Sequence, residues 1–202
     1  MNLVNFVETS QVAAFRLAIS DAQEAGAGYP TIVVGYGEPG AGKTWAARKL
    51  YVELGGYYLR VLEGMTQNAF LQDLCFLVTG MRPHRSAHCK QAIIETLEEE
   101  PKPIFVDEID RAHIGRMEDL RDITDMTGAP VIFIGEPALL SRLAARQRLN
   151  DRAPDAFRIK FGAINAKDIM LYAQKAGNLV LTPEAGGVIF EKTKGNFRRV
   201  DN

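Results

Sequence analysis

Two cysteines in 202 residues, Cys75 and Cys89, are too few for a disulfide scaffold and fit a reducing compartment. No apolar run approaches the roughly 18 residues that a membrane span requires. Met1-Asn2-Leu3-Val4 also lacks the charged start of a signal peptide. The chain is therefore expected to be cytoplasmic, with no membrane partner. Positive charge is not in surplus either: 24 Lys and Arg stand against 25 Asp and Glu, for a formal net charge of −1. That balance excludes a polycation and confines any nucleic-acid binding to local patches. No internal repeat or low-complexity segment is evident. What is present, 47% hydrophobic and 24% charged residues, suffices for one good core or for one large and one small domain.

The most informative segment is Gly37-Glu38-Pro39-Gly40-Ala41-Gly42-Lys43-Thr44, a complete phosphate-binding loop. It follows the apolar run Thr31-Ile32-Val33-Val34-Gly35-Tyr36 and opens a helical stretch at Trp45. The chemistry needs that context, a strand to aim the loop and a helix N-terminus to receive phosphates. Gly37, Gly40 and Gly42 can turn their N–H groups inward around an anion. Lys43 is expected on the β- and γ-phosphates of ATP, and the Thr44 hydroxyl on Mg²⁺. Trp45 counts with the loop as a nucleotide-lining residue, although it and Tyr36 read as packing residues rather than base-stacking platforms. A second motif, Ile104-Phe105-Val106-Asp107-Glu108, delivers two carboxylates to the end of an apolar strand. Asp107 is expected to support the metal, and Glu108 to orient and deprotonate the attacking water.

Strand-like segments at 31–36, 57–62, 103–107, 130–135 and 157–161 alternate with helical stretches. The first helix spans Thr9 to Ala25 and is stopped by Gly26 and Gly28; Thr66 and Ser86 start two more. This order predicts an α/β P-loop NTPase fold with a five-stranded parallel sheet covered on both faces, the last strand alternating as an edge strand does. From Ala166 onward the pattern is helical only, which gives a core over residues 1–163 and a short helical lid over 164–202. The lid breaks off at Asn202 and reads as minimal or incomplete.

Taken together, residues 35–44, Asp107-Glu108-Ile109-Asp110-Arg111-Ala112, the segment Leu120 to Pro130, and Val131-Ile132-Phe133-Ile134-Gly135 resemble the AAA+ ATPases of transposition. The resemblance spans roughly residues 8–200. It is nearest to the phage Mu B-type target-selection and transposase-activating proteins. It implies an ATP-dependent homo-oligomer or filament that coats double-stranded DNA without sequence preference and stimulates a transposase. It also implies an arginine from the neighbouring subunit, for which Arg148 and Arg152 are favoured over Arg146. A guanidinium there can stabilise charge on the γ-phosphate. Glu136 occupies the place at the end of the fourth strand where the family usually presents a neutral polar side chain to the water. Gly195-Asn196-Phe197-Arg198 matches the motif that lays a lid arginine, here Arg198, on the nucleotide, with Arg199 as the alternative register.

Arg82, His84, Arg85, His88 and Lys90 form a basic cluster, and Arg82, Arg85 and Lys90 are the residues expected to follow DNA phosphates. The histidines and cysteines are not spaced as a zinc site, since Pro83 and Ser86 begin a helix between His84 and His88. Two rival functions fit the same motifs. One is a secretion- or pilus-type AAA+ ATPase acting on a protein partner. The other is a nucleotide-gated scaffold with little hydrolysis.

Overall fold

The computed structural model describes residues 6–26, 29 and 31–201. Helix α1 (Ser10–Ala25) begins where the Thr9 hydroxyl accepts the Val12 N–H, and Gly26 ends it in a conformation open to glycine. Gly28, the second expected stop, lies outside the described residues, as do Met1 to Val4. There follow β1 (Ile32–Gly37), α2 (Lys43–Leu54), β2 (Tyr57–Arg60), α3 (Gln67–Thr79), α4 (Ser86–Glu99) and β3 (Ile104–Asp107). A 3₁₀ turn at Ile109–Arg111 leads into α5 (Ile114–Thr127) and β4 (Val131–Gly135). The short helices α6 (Ala138–Ala144) and α7 (Gln147–Arg152) then precede β5 (Arg158–Phe161). Helices α8 (Ala166–Gly177), α9 (Pro183–Thr193) and α10 (Phe197–Val200) close the chain.

All strand pairings are parallel and the order is β2-β3-β4-β1-β5. The expected five-stranded α/β architecture is therefore present, with β5 at an edge. Parallel strands joined by crossover helices must be covered on both faces, and the period-2 alternation of strand side chains divides the core accordingly. Ile32, Val34, Ile104, Val106, Val131 and Phe133 pack with α3 to α7 on one face. Val33, Phe105, Ile132, Ile134 and Phe161 pack with α1 and α2 on the other. Each large side chain so buried contributes about 1.5–3 kcal/mol of transfer free energy. On the second face Phe15 meets Phe161 edge to face, ring centroids 5.3 Å apart. They close over Gly35, where a Cβ would sit 2.9 Å from Phe15 Cζ.

Four strands are shorter than the sequence pattern predicts, β4 and β5 each starting one residue later than expected. β2 stops at Arg60 instead of Leu62, because its partner strand ends at Asp107 and Val61 can only donate a last N–H bond to the Asp107 carbonyl (2.9 Å). β3 starts at Ile104 since Pro103 has no N–H for the ladder, although its carbonyl still accepts from Tyr57.

Candidate functional site

The C-terminal ends of β1, β3 and β4 converge on the loop at 37–44, as expected where ligands bind in open parallel sheets. Helix α2 has Gly42 as its N-cap, with no side-chain cap bond, so its first-turn N–H groups are left to a ligand. Gly40 and Gly42 both have left-handed backbones (φ 84° and 92°), which bend the loop back over the helix start. A cavity of about 300 Å³ opens here, lined by Gly40, Lys43, Thr44, Asp107, Glu108 and Glu136 among others.

Lys43 folds back on the loop, its Nζ donating to the carbonyls of Gly37 (2.7 Å) and Glu38 (3.0 Å). Burial lowers its pKa, opposed by the nearby carboxylates of Glu136, Asp107, Asp110 and Glu108. Asp107 is almost fully buried and accepts three bonds: from Tyr58 Oη (2.8 Å), Thr44 Oγ1 (3.3 Å) and the Glu108 N–H (3.1 Å). Burial pushes its carboxyl above the usual range, while Tyr58 and Thr44 pull it down. Tyr58 is pushed well above an ordinary phenol, first by burial and then by the Asp107 charge, so it stays neutral and acts as a donor.

Thr44 and Asp107 fit a small hard cation. Both offer oxygen, and their facing oxygens lie 3.3 Å apart, near the spacing of about 3 Å expected for adjacent ligands of octahedral Mg²⁺. Glu108 stands beside them with a left-handed backbone (φ 58°), a conformation that costs a non-glycine residue about 1–2 kcal/mol. Its carboxylate lies between Arg60 at the end of β2 (3.3 Å) and Arg111 of the turn that follows (3.0 Å).

Glu136 is exposed in the same cavity, and the space beside Gly135 is filled by Asp110, whose Oδ1 accepts the Glu136 N–H (3.3 Å). Arg142 pins this turn by donating to the carbonyls of Asp110 and Ala112. Arg198 lines the cavity from α10. Asn196, the N-cap of α10, accepts the Arg199 N–H and donates Nδ2 to the Pro39 carbonyl (3.0 Å), which ties the C-terminal helices to the loop. A narrow apolar cleft adjoins the cavity, lined by Phe6, Val12, Ala41, Trp45, Phe161 and Phe197.

The basic residues expected as a finger or as DNA contacts, Arg148, Arg152, Arg82, Arg85 and Lys90, do not line this cavity. Arg152 is engaged with Asp125 of α5 (2.6 Å), whereas Arg148 is exposed on α7. Lys90 is not part of the loop before α4. It lies on α4 and pairs with Asp119 and Asp122 of α5, because two packed helices bring these charges together across their interface. Arg82 pairs with Asp73 and lies over Phe76. Arg85, exposed at the N-cap of α4, forms no ion pair among the described residues.

Sequence reasoning passed over Tyr58, Arg60, Asp110, Arg111 and Asn196. The β2–β3 register, which pairs Arg60 with Asp107, is the signal that would have found the first two.

A family model described as an AAA domain matches residues 27–143, more than half of the chain. The chain belongs to the AAA domain family. No curated protein matches it in sequence. Among solved structures, the AAA domain is similar to Cdc6p from Pyrobaculum aerophilum (16% identity, 95% of this chain and 58% of that one, TM-score 0.67). It is likewise similar to the Aeropyrum pernix ORC1 protein, solved in complex with DNA (19%, 96% and 58%, TM-score 0.63). A third likeness is to the Pyrococcus horikoshii signal transduction ATPase with a tetratricopeptide repeat sensor (17%, 97% and 29%, TM-score 0.65). At these identities the likeness is one of fold. The chain spans 29–58% of the length of these three proteins.

Proposed function

We propose that this AAA domain binds ATP with Mg²⁺, hydrolyses it, and uses the nucleotide to switch a homo-oligomer that binds double-stranded DNA in transposition, selecting targets and activating a transposase. The observation that carries the nucleotide reading is the convergence of Lys43, the Thr44 hydroxyl and the Asp107 and Glu108 carboxylates in one cavity behind a free helix N-terminus. On arrival of the triphosphate, Lys43 exchanges its two carbonyl partners for phosphate oxygens. The N–H groups of residues 40–44 close around them. Thr44 and Asp107 hold Mg²⁺, which supplies neutralisation of phosphate charge. Arg198 approaches from α10, so residues 164–202 act as a lid on the core at 1–163.

Arg60 and Arg111 each hold one oxygen of the Glu108 carboxylate, so Glu108 must turn an oxygen toward the attacking water before it can act on it. This specific observation favours a second reading, a nucleotide-gated scaffold with slow turnover. Arg148, exposed on α7 and without an ion pair among the described residues, is the better candidate to reach a neighbouring subunit's nucleotide; Arg152 would first have to leave Asp125. The polymer partner rests on the transposition-like motifs, with the DNA complex of a like-folded protein as support for choosing DNA. Phosphate release from ATP, measured for wild type and Glu108→Gln, tests the enzyme reading. Turnover abolished by the substitution with nucleotide binding intact supports it, and equal rates in the two proteins refute the assignment of Glu108.

A further inference from the structure

The carboxylate of an aspartate turns easily about its last torsion, whose preference is broad and two-fold, so burial alone does not decide which oxygen faces a ligand. In Asp107 the two oxygens have been given different partners. Oδ1 accepts from Thr44 Oγ1 (3.3 Å) and the Glu108 N–H (3.1 Å), on the cavity side. Oδ2 accepts from Tyr58 Oη at 2.8 Å, the shortest of the three bonds. Tyr58 is itself held: its ring packs on Tyr51 (centroids 5.7 Å apart), and the Arg48 guanidinium lies over it at 5.7 Å. The side chain comes from β2, the strand hydrogen-bonded to β3, with Tyr58 opposite Phe105 in the register. Strand pairing therefore fixes the distance over which the phenol reaches Asp107.

We propose that Tyr58 is a positioning residue for the metal: by occupying Oδ2 it locks the Asp107 carboxylate with Oδ1 turned toward Thr44, so the pair meets Mg²⁺ already aligned. This rests on the reading of Thr44 and Asp107 as the metal-holding pair. Tyr58 is not among the residues that line the cavity. Its role is to spare the site the ordering of a carboxylate at the moment of binding, and partners of this kind are worth about 10- to 100-fold in metal affinity.

The test compares wild type with Tyr58→Phe, which keeps the ring and its packing and removes only the hydroxyl. The affinity of each for a fluorescent, non-hydrolysable ATP analogue is measured in EDTA and in saturating Mg²⁺. Metal binding to the free analogue is common to both proteins, so the ratio of the two affinities isolates the protein's contribution. Tyr58→Phe is expected to leave the EDTA affinity unchanged and to lose about tenfold of the Mg²⁺-dependent gain. Combined with Asp107→Asn it should add nothing to the loss from Asp107→Asn alone. A full Mg²⁺ gain in Tyr58→Phe overturns the proposal, and so does an equal loss of affinity in EDTA and Mg²⁺, which would mark a merely structural tyrosine. If wild type binds the analogue with no Mg²⁺ gain, the metal reading of Thr44 and Asp107 fails first and takes the proposal with it.

Discussion

Gly40→Ala and Asn196→Ala, singly and together, probe the contact between the phosphate loop and the C-terminal helices. A Cβ on Gly40 would lie 2.5 Å from Asn196 Oδ1 and 2.7 Å from Nδ2, and the backbone there has φ 84°. The left-handed backbone costs alanine about 1–2 kcal/mol regardless of its neighbours. The methyl also expels the Asn196 amide. That removes the α10 cap, worth about 1 kcal/mol, and the bond to the Pro39 carbonyl, worth about 0.5–1.5 kcal/mol. Asn196→Ala loses the same cap and bond by a different route. Since they can be lost only once, the double variant should be no less stable than Gly40→Ala alone. The expected coupling is therefore about 1.5–2.5 kcal/mol, within the range found for residues in contact. Urea unfolding of the four proteins without nucleotide measures it. The only tryptophan, Trp45, lies in the first turn of α2 and reports on the loop directly. Strict additivity would show that Asn196 does not rest on Gly40, and the coupling of α10 to the loop would be abandoned.

Asp107→Asn is expected to raise the unfolding midpoint of the ligand-free protein at neutral pH. Burial lifts the folded-state carboxyl above its unfolded value, so ionisation opposes folding once pH climbs past that raised value. The gain should fade below about pH 4, where the unfolded aspartate is itself protonated, and a lowered midpoint at pH 7 would contradict the sign. Gly35→Ala forces a methyl against Phe15 and Phe161, both buried in the sheet face. It should cost about 1–3 kcal/mol, read as a fall of several degrees in the thermal midpoint, with partial recovery on Phe15→Leu.

The strands and the loop were legible because they rest on local pattern. Val33 and Val34 point to opposite faces whatever lies beyond, and a glycine-rich loop between strand and helix has few other uses. What escaped reading depends on pairs distant in sequence. Asn196 meets Pro39 across 157 positions, and no periodicity announces such a contact. Arg60 reaches Glu108 only because β2 pairs with β3 in one register. Lys90 looked like part of a basic surface since its acidic partners, Asp119 and Asp122, belong to a different helix. The distinction matters for nucleic-acid binding. A cluster counted from the sequence includes charges that the fold has already neutralised, which leaves Arg85 as the more available cation of that group.

The ATP-dependence of DNA binding tests the switch most directly. A labelled duplex is titrated with protein in the presence of ATP, ADP or no nucleotide, at two salt concentrations, and its fluorescence anisotropy recorded for wild type and Lys43→Ala. Binding that requires ATP, weakens with salt as phosphate contacts do, and disappears in Lys43→Ala is the expected result. Binding that is absent under every condition, or indifferent to nucleotide and to Lys43, would contradict a nucleotide-switched DNA-binding AAA domain.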